Sequence, residues 1–291
     1  MNIFSGAGVA LITPFKNQEV DFESFDNYCR ELLSRKVKAF VVAGSTGEPH
    51  SLNGREKAKL LSCAKSIAKN QIPVIAGIMK SNTSQAVFEA ETFASLGADA
   101  LLTITPYCSK STPDGLKEHF RLIRQKSGMP IILYDVPART AVDLSAETIC
   151  ELFEDGSIQA VKFASKSIEK AIDIIDKTNG ECPVYSGEDA LTVPLRSIGA
   201  KGSISVLAGV YPEIAESLFD LPFSKAGRLQ REIAELVKLL FCEVNPVPVK
   251  YLLSTMGFCE NSFRLPLTPL SKEKAEKLTT EANRLMNFVL K

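Results

Sequence analysis

Eight short apolar segments recur along this chain, and this repeat restricts the possible folds more than any other feature of the sequence. They are rich in β-branched residues and do not alternate with polar positions, which is typical of parallel strands covered on both faces. They begin on average about 28 residues apart, close to the length of one strand–helix–strand unit. The segments cover residues 9–13, 39–43, 73–76, 100–105, 131–135, 158–163, 183–186 and 202–206.

The stretches between these segments show the spacing of amphipathic helices. In residues 55–69, lysine and arginine side chains fall on one face and alanine, leucine and isoleucine on the other. Asp21, Ser145 and the pair Thr112-Pro113 are placed to begin helices. The alternation of strands and helices predicts a (β/α)8 TIM barrel of the α/β class. An open doubly wound sheet is less favoured because no Gly-x-Gly-x-x-Gly motif follows the first strand.

Strand patterns stop after Leu221, and only helical patterns follow. They cover residues 224–241, 247–256 and 271–290, and we expect them to form a C-terminal helical extension. The predicted division is therefore a barrel catalytic domain over residues 1–220 and an extension over residues 221–291. Such an extension can pack against the barrel or form a subunit interface, and the periodicity favours neither.

Charge and cysteine content narrow the possible functions. Lys+Arg 34 balance Asp+Glu 34, and no window is basic enough to follow a phosphate backbone, so no nucleic-acid partner is expected. Seven scattered cysteines without a Cys-x-x-Cys pair predict neither disulfides nor a zinc site. With only His50 and His119 as histidine ligands, we expect no metal and no cofactor.

The sequence also bears on where the protein acts. It shows no pattern of a signal peptide or of a membrane-spanning segment, which favours the reduced cytoplasm and no membrane partner.

Lys162 lies inside the apolar segment 158–163, where a charged side chain needs an explanation. Active sites of such barrels lie at the C-terminal ends of the strands. Desolvation favours the neutral amine, which is the form that attacks a carbonyl to give a Schiff base. The alternative is a structural lysine, either paired with a buried carboxylate or reaching solvent at the strand end.

Other strand ends carry further candidates. Tyr134 ends the fifth segment and could transfer protons, or be an interior tyrosine held by one hydrogen bond. The turn Gly44-Ser45-Thr46-Gly47-Glu48 offers amides and hydroxyls to a carboxylate or phosphate, or is a plain turn. Arg139 could bind a carboxylate with two hydrogen bonds, or be solvated at the surface. Tyr107 could supply a hydroxyl, whereas Gly187-Glu188-Asp189 is interpreted as an ordinary helix start.

These segments resemble one family. The motifs are Gly44–Glu48, Thr105-Pro106-Tyr107, Tyr134-Asp135-Val136-Pro137-Ala138-Arg139-Thr140, the Lys162 strand, Asn-Pro-Val-Pro-Val-Lys at 245–250 and Arg-Leu-Pro-Leu-Thr-Pro at 264–269. Together they resemble the 4-hydroxy-tetrahydrodipicolinate synthases, within a wider group that contains N-acetylneuraminate lyase. The resemblance runs nearly end to end. It implies a metal-independent, pyruvate-dependent Schiff-base lyase of lysine and diaminopimelate biosynthesis, built as a homotetramer or homodimer.

The resemblance also implies a role for each candidate residue. Lys162 would attack the keto carbon of pyruvate, and the resulting enamine would condense with the aldehyde of L-aspartate 4-semialdehyde. Tyr134 would exchange protons, with Ser45 and Tyr107 in its relay. The remaining assignments are Thr46 and the Ile204 backbone for the pyruvate carboxylate, and Arg139 for the semialdehyde carboxylate. Arginine at this position favours the synthases over the neuraminate lyases.

Three of the chain's departures from the family pattern bear on the predicted chemistry. Cys108 stands where a second tyrosine is common, so the relay is expected to be broken, bridged by water or taken over by Tyr107. Phe163 replaces a glutamate, and Asp135 replaces an asparagine. Two rival functions therefore remain open at this point. One is another pyruvate aldolase or lyase of the N-acetylneuraminate lyase kind, and the other is a catalytically idle barrel that binds a small acid.

Overall fold

Eight parallel strands close into a barrel in the computed structural model of the chain, which describes residues 2–289. Each strand pairs with its neighbours in sequence, and the last pairs with the first. The prediction of a (β/α)8 barrel is thus confirmed. The strands are β1 (Gly6–Ala10), β2 (Ala39–Val42), β3 (Val74–Ile78), β4 (Ala100–Ile104), β5 (Ile131–Asp135), β6 (Ala160–Phe163), β7 (Val184–Ser186) and β8 (Gly202–Ser205).

All eight predicted segments overlap a strand, but the first is displaced. β1 begins three residues earlier than the predicted segment 9–13, because glycines at positions 6 and 8 lower the strand propensity of its first half. Its backbone nevertheless pairs with both β8 and β2. A side chain at Gly8 would lie 3.0 Å from the Phe4 ring, so close packing requires the glycine.

Helices follow the strands and cover the outside of the barrel. The predicted helix starts are confirmed, since the side chains of Asp21, Thr112 and Ser145 each accept a hydrogen bond from the amide three residues on. None of the helices within residues 2–289 is both long and apolar enough to cross a lipid bilayer. The barrel helices are α1 (Phe22–Ser34), α2 (Gly54–Ala68), α3 (Thr83–Ser95), α4 (Pro113–Ser127), α5 (Ala146–Glu154), α6 (Ile168–Lys177), α7 (Thr192–Ser197) and α8 (Pro212–Asp220).

The apolar core has two layers. One fills the barrel with inward side chains such as Val41, Leu102 and Ile132. The other lies between strands and helices. Near the N-terminal end of the barrel the rings of Phe4 and Tyr185 stack with centroids 4.4 Å apart. This end is therefore packed with aromatic side chains, and the opposite end is where a cavity can form.

The extension contains four helices, α9 (Phe223–Glu232), α10 (Ala234–Leu240), α11 (Val247–Thr255) and α12 (Lys272–Val289). The prediction of one helix over 224–241 is wrong, because the backbone leaves the helical path at Ile233, where ψ is −4°. The break lets α9 pack on α7 and α8 while α10 contacts α12. The predicted helix over 271–290 is observed to Val289, and its last residue lies outside the described range. The division at residue 220 stays a prediction.

Candidate active site

Lys162 and Tyr134 lie opposite each other on neighbouring strands, β6 and β5. The Lys162 Nζ atom is 4.2 Å from the centroid of the Tyr134 ring, and both residues are buried, with 6% and 4% of their surface exposed. An ammonium is attracted to the face of such a ring. Among residues 2–289 no carboxylate lies within ion-pair distance of Lys162, so the alternative of a structurally paired lysine does not hold.

Gly187, at the end of β7, leaves room for the lysine side chain. A Cβ atom at this position would lie 3.0 Å from Lys162 Cε and 2.9 Å from Ala164 Cβ. The distance to Ala164 is shorter than real Cβ atoms essentially ever show, so a side chain here would force its neighbours, Ala164 and Lys162, to shift. Sequence reasoning missed this contribution, although a glycine at a strand end was a usable signal.

A cavity of about 510 Å³ opens at the C-terminal ends of the strands. Five of the seven predicted site residues line it, namely Thr46, Tyr134, Arg139, Lys162 and Ile204. Arg139 lies on a single helical turn (Pro137–Thr140) after β5. The cavity thus combines a buried amine, a phenol and a guanidinium, a set that can bind and activate a small keto acid.

The other two predicted residues, Ser45 and Tyr107, line a smaller cavity of about 220 Å³. It shares Arg139 and Asn245 with the larger cavity, so the two adjoin. The Tyr107 hydroxyl donates to the Met79 carbonyl at 3.4 Å. The structure therefore brings Ser45 and Tyr107 together beside Arg139, in a cavity that Lys162 does not line.

Cys108 follows Tyr107 on the outer surface of the molecule. Its side chain is exposed, and its backbone has a φ of 72°, in the left-handed region that few residues adopt. The side chain lines neither cavity. Within the described chain it therefore contributes no group to the space around Lys162.

Side chains from the barrel and from the extension hold the turn after β2. It forms one helical turn over Ser45–Gly47, and the Thr13 hydroxyl donates to the Gly47 carbonyl at 2.7 Å. Asn245, from the extension, donates through Nδ2 to Thr46 Oγ1 at 2.9 Å, and both residues are buried. The hydroxyl of Thr46 is thus fixed in the wall of the larger cavity.

Glu48 closes this turn in the left-handed conformation, with φ 53°. Its carboxylate accepts a hydrogen bond from Lys250 Nζ at 2.7 Å, and both side chains are fully buried. Lys250 lies between the rings of Phe15 and Phe263, at 4.4 and 4.6 Å from their centroids. Burial raises the pKa of the Glu48 carboxyl and lowers the pKa of the Lys250 ammonium. The 245–250 motif, which sequence reasoning treats as architectural, therefore holds the site directly.

The prediction of a helix start at Gly187-Glu188-Asp189 is confirmed, since Glu188 is the N-cap residue and Asp189 lies in the first turn, but both carboxylates also serve the site. Glu188 lines the larger cavity, where burial raises the pKa of its carboxyl. Asp189 is buried and accepts hydrogen bonds from Ser205 Oγ and from the amides of Val206 and Leu207. Its side chain thus turns inward to hold the segment after β8, instead of capping its own helix.

Asp135 and Phe163, the other two departures from the family pattern that bear on the predicted chemistry, face the helices and not the cavity. These two residues are opposite each other on β5 and β6, one position beyond Tyr134 and Lys162, so their side chains point outward to the helices. Phe163 belongs to the outer core, and Asp135 forms an ion pair with Lys170 of α6 at 2.6 Å. Neither lines the cavity, and neither removes a group from it.

Comparison with known proteins identifies close relatives. The family model described as the dihydrodipicolinate synthetase family matches residues 3–285. A 4-hydroxy-tetrahydrodipicolinate synthase from Caldicellulosiruptor bescii is 40% identical over 283 residues, covering 96% of each chain. The crystal structure of dihydrodipicolinate synthase from Aquifex aeolicus is 36% identical, with a TM-score of 0.94 over 97% of this chain and 98% of that one. A structure described as the first monomeric dihydrodipicolinate synthase variant is 35% identical, with a TM-score of 0.93 over 97% and 96%.

Proposed function

This chain belongs to the dihydrodipicolinate synthetase family and acts as a Schiff-base lyase that makes 4-hydroxy-tetrahydrodipicolinate, and we propose that it does so from pyruvate and L-aspartate 4-semialdehyde on Lys162. The observation that carries the proposal is the buried amine of Lys162 beside the Tyr134 ring, without an ion-pair partner in the described structure. The product belongs to lysine and diaminopimelate biosynthesis. The family relationship favours this function over the two rivals.

The reaction begins at the Lys162 amine. The nitrogen attacks the keto carbon of pyruvate, and loss of water gives an imine. Removal of a proton from the methyl carbon gives an enamine. That carbon then attacks the aldehyde carbon of the semialdehyde, forming the new carbon–carbon bond and a hydroxyl group. The amine of the semialdehyde attacks the imine carbon, closes the ring and releases Lys162, so the reaction loses one water overall.

Tyr134 is the proposed proton donor and acceptor for these steps. Its ring contacts the Lys162 amine, so the side chain borders every intermediate held on that nitrogen. General acid–base groups must lie within hydrogen-bond reach of the proton that moves. Ser45 and Tyr107, in the adjoining cavity, are proposed to continue the relay, with Tyr107 as its terminal phenol in place of Cys108.

Thr46 and the Ile204 backbone are proposed to bind the pyruvate carboxylate, since both line the cavity with Lys162. Arg139 is proposed to bind the semialdehyde carboxylate. It lines both cavities and is exposed, and no carboxylate forms an ion pair with it among the described residues. A guanidinium can bind a carboxylate with two parallel hydrogen bonds.

Assembly and location complete the proposal. A homotetramer or homodimer is supported by the description of one structural relative as the first monomeric variant, which indicates that oligomers are usual among these enzymes. The cytoplasm is proposed as the place of action, because the reaction is a biosynthetic one. No cofactor, metal, nucleic acid or membrane is part of the proposed reaction.

The test is a coupled assay on purified protein. Pyruvate and L-aspartate 4-semialdehyde are supplied with a reductase that oxidises NADPH as product appears. We expect NADPH oxidation that depends on both substrates. A folded protein without this activity that still forms a borohydride-trapped pyruvate adduct would indicate another pyruvate aldolase. Absence of both activity and adduct would indicate the idle barrel.

A further inference from the structure

Asn245 approaches the site from the extension and contacts the side chain that faces pyruvate in the proposed function. It lies 199 residues from Thr46 in the chain, yet its Nδ2 atom donates to Thr46 Oγ1 at 2.9 Å. Asn245 is 7% exposed and Thr46 3% exposed, so water does not compete freely for this hydrogen bond.

The direction of this hydrogen bond determines what the threonine can do. A hydroxyl has one hydrogen to donate and two lone pairs to accept with. Because Asn245 occupies a lone pair, the hydrogen of the Thr46 hydroxyl remains available. In the described chain no acceptor takes that hydrogen, and Thr46 lines the same cavity as Lys162.

The rest of the segment keeps Asn245 in place. Five residues later Lys250 forms the fully buried ion pair with Glu48, at the other end of the same turn. The turn is thus held by one segment of the extension at both Thr46 and Glu48. Asn245 Oδ1 has no hydrogen-bond partner within the described residues, so the bond to Thr46 is the only one its side chain makes there.

We propose that Asn245 is a positioning residue that orients the Thr46 hydroxyl as a hydrogen-bond donor toward the carboxylate of pyruvate. This inference rests on the proposed function. Although Asn245 also lines the cavity, in this role it acts through Thr46, so its loss weakens pyruvate binding and leaves the chemistry at Lys162 intact. An uncharged donor oriented in advance binds a carboxylate more tightly than one free to rotate.

The test measures the pyruvate concentration that gives half-maximal borohydride trapping, together with the KM for pyruvate and kcat. Asn245→Ala is expected to raise both pyruvate constants about fivefold to tenfold, since one hydrogen bond to a charged group becomes poorly oriented. We expect kcat at saturating pyruvate to stay within about twofold of wild type. Gln18→Ala is the control, because Gln18 also joins the barrel to the extension, through the Phe263 carbonyl, but outside the cavity.

A double-mutant cycle separates positioning from general loosening. Thr46→Val removes the hydroxyl at constant shape, and in that background Asn245→Ala is expected to raise the pyruvate constants no further. Thr46→Ser keeps the hydroxyl, and there Asn245→Ala is expected to raise them again. Three results would overturn the inference. Asn245→Ala could raise the pyruvate constants equally in the Thr46→Val and wild-type backgrounds, it could leave them unchanged in the wild-type background, or Gln18→Ala could raise them as much as Asn245→Ala does. A wild-type protein that traps no pyruvate would instead overturn the proposed function, and this inference with it.

Discussion

Two walls of the cavity are held by different means. Tyr134 and Lys162 lie opposite each other on adjacent strands, so the backbone hydrogen bonds of the barrel fix their separation. Thr46 lies in a short turn held by the side chains of Asn245 and Lys250, 199 and 202 residues away from the groups they contact. The first wall therefore depends on the fold as a whole, whereas the second depends on a few side-chain contacts, two of them from the extension.

The largest effect is expected at the strand wall. Lys162→Ala should lower kcat about 1,000-fold or more, because the nucleophile is lost, while the fold remains. The coupled assay measures the rate, and circular dichroism checks the fold. Lys166→Ala is the matched control, since this lysine is exposed four residues further on. Activity of Lys162→Ala above about a tenth of wild type would remove Lys162 from its assigned role.

The turn wall should be most sensitive at Lys250. Lys250→Met leaves the Glu48 carboxyl buried without its partner, which should lower the free energy of unfolding by about 3–5 kcal/mol. Denaturant titration measures this. Lys274→Met, which removes a solvent-exposed partner of Glu243, should lower the free energy of unfolding far less. Adding Glu48→Gln to Lys250→Met should restore part of the lost unfolding free energy, because the buried carboxyl becomes a neutral amide. A double variant that loses about as much again would contradict the pairing of these two side chains.

Tyr134→Phe tests the chemistry of the strand wall without changing its shape. We expect kcat to fall about 100-fold, because the proton donor is lost while the ring beside Lys162 remains. Tyr185→Phe is the matched control. Tyr185 lies opposite Lys162 on β7, the other strand that neighbours β6. Its hydroxyl, however, donates a hydrogen bond to the Phe4 carbonyl, near the N-terminal end of the barrel. Equal losses in the two variants would show that a general packing defect, and no specific proton transfer, is being measured.

Gly187→Ala should act on the space around the lysine. The added Cβ would meet Lys162 and Ala164, so the amine must shift, and Schiff-base formation should slow about tenfold. Rapid borohydride quenching at several times measures this rate. Gly54→Ala offers the control, because a Cβ there meets no atom within 4 Å. If Gly187→Ala leaves the rate of Schiff-base formation unchanged, the residues around Gly187 can move apart without displacing the Lys162 amine.

The smallest effect concerns a further contact between barrel and extension, the pair of Glu56 and Arg264. Hydrogen bonds from Arg264 hold the pKa of Glu56 below its ordinary value of 4.5. A lowered pKa stabilises the folded state fully above pH 4.5, and the contribution is lost as the pH falls through the folded-state value. The difference in unfolding free energy between wild type and Glu56→Gln should therefore shrink as the pH falls below 4.5. A difference that stays constant or grows on acidification would contradict this assignment.

The difference between the strand wall and the turn wall also explains which features of the site the sequence could predict. Strands and the residues at their ends are visible locally, so the barrel and the candidates Lys162 and Tyr134 follow from short apolar runs. The substitutions above test the predicted roles of Lys162, Tyr134 and Thr46. Those of Ser45, Tyr107, Arg139 and Ile204 stay predictions.

Contacts between distant segments leave no local pattern. Nothing near Asn245 or Lys250 shows that they meet Thr46 and Glu48, and nothing near Asp189 shows that it turns toward β8. The break at Ile233 is likewise set by packing against different helices on its two sides. These features depend on tertiary contacts, which override the local preferences that a sequence displays.

The most direct test of the account is to trap pyruvate on the wild-type protein with borohydride and to identify the modified residue by peptide mass mapping. We expect one pyruvate-dependent adduct, located on Lys162, and less of it when L-aspartate 4-semialdehyde consumes the enamine before reduction. An adduct on another lysine, or none on a folded protein that makes product, would contradict it.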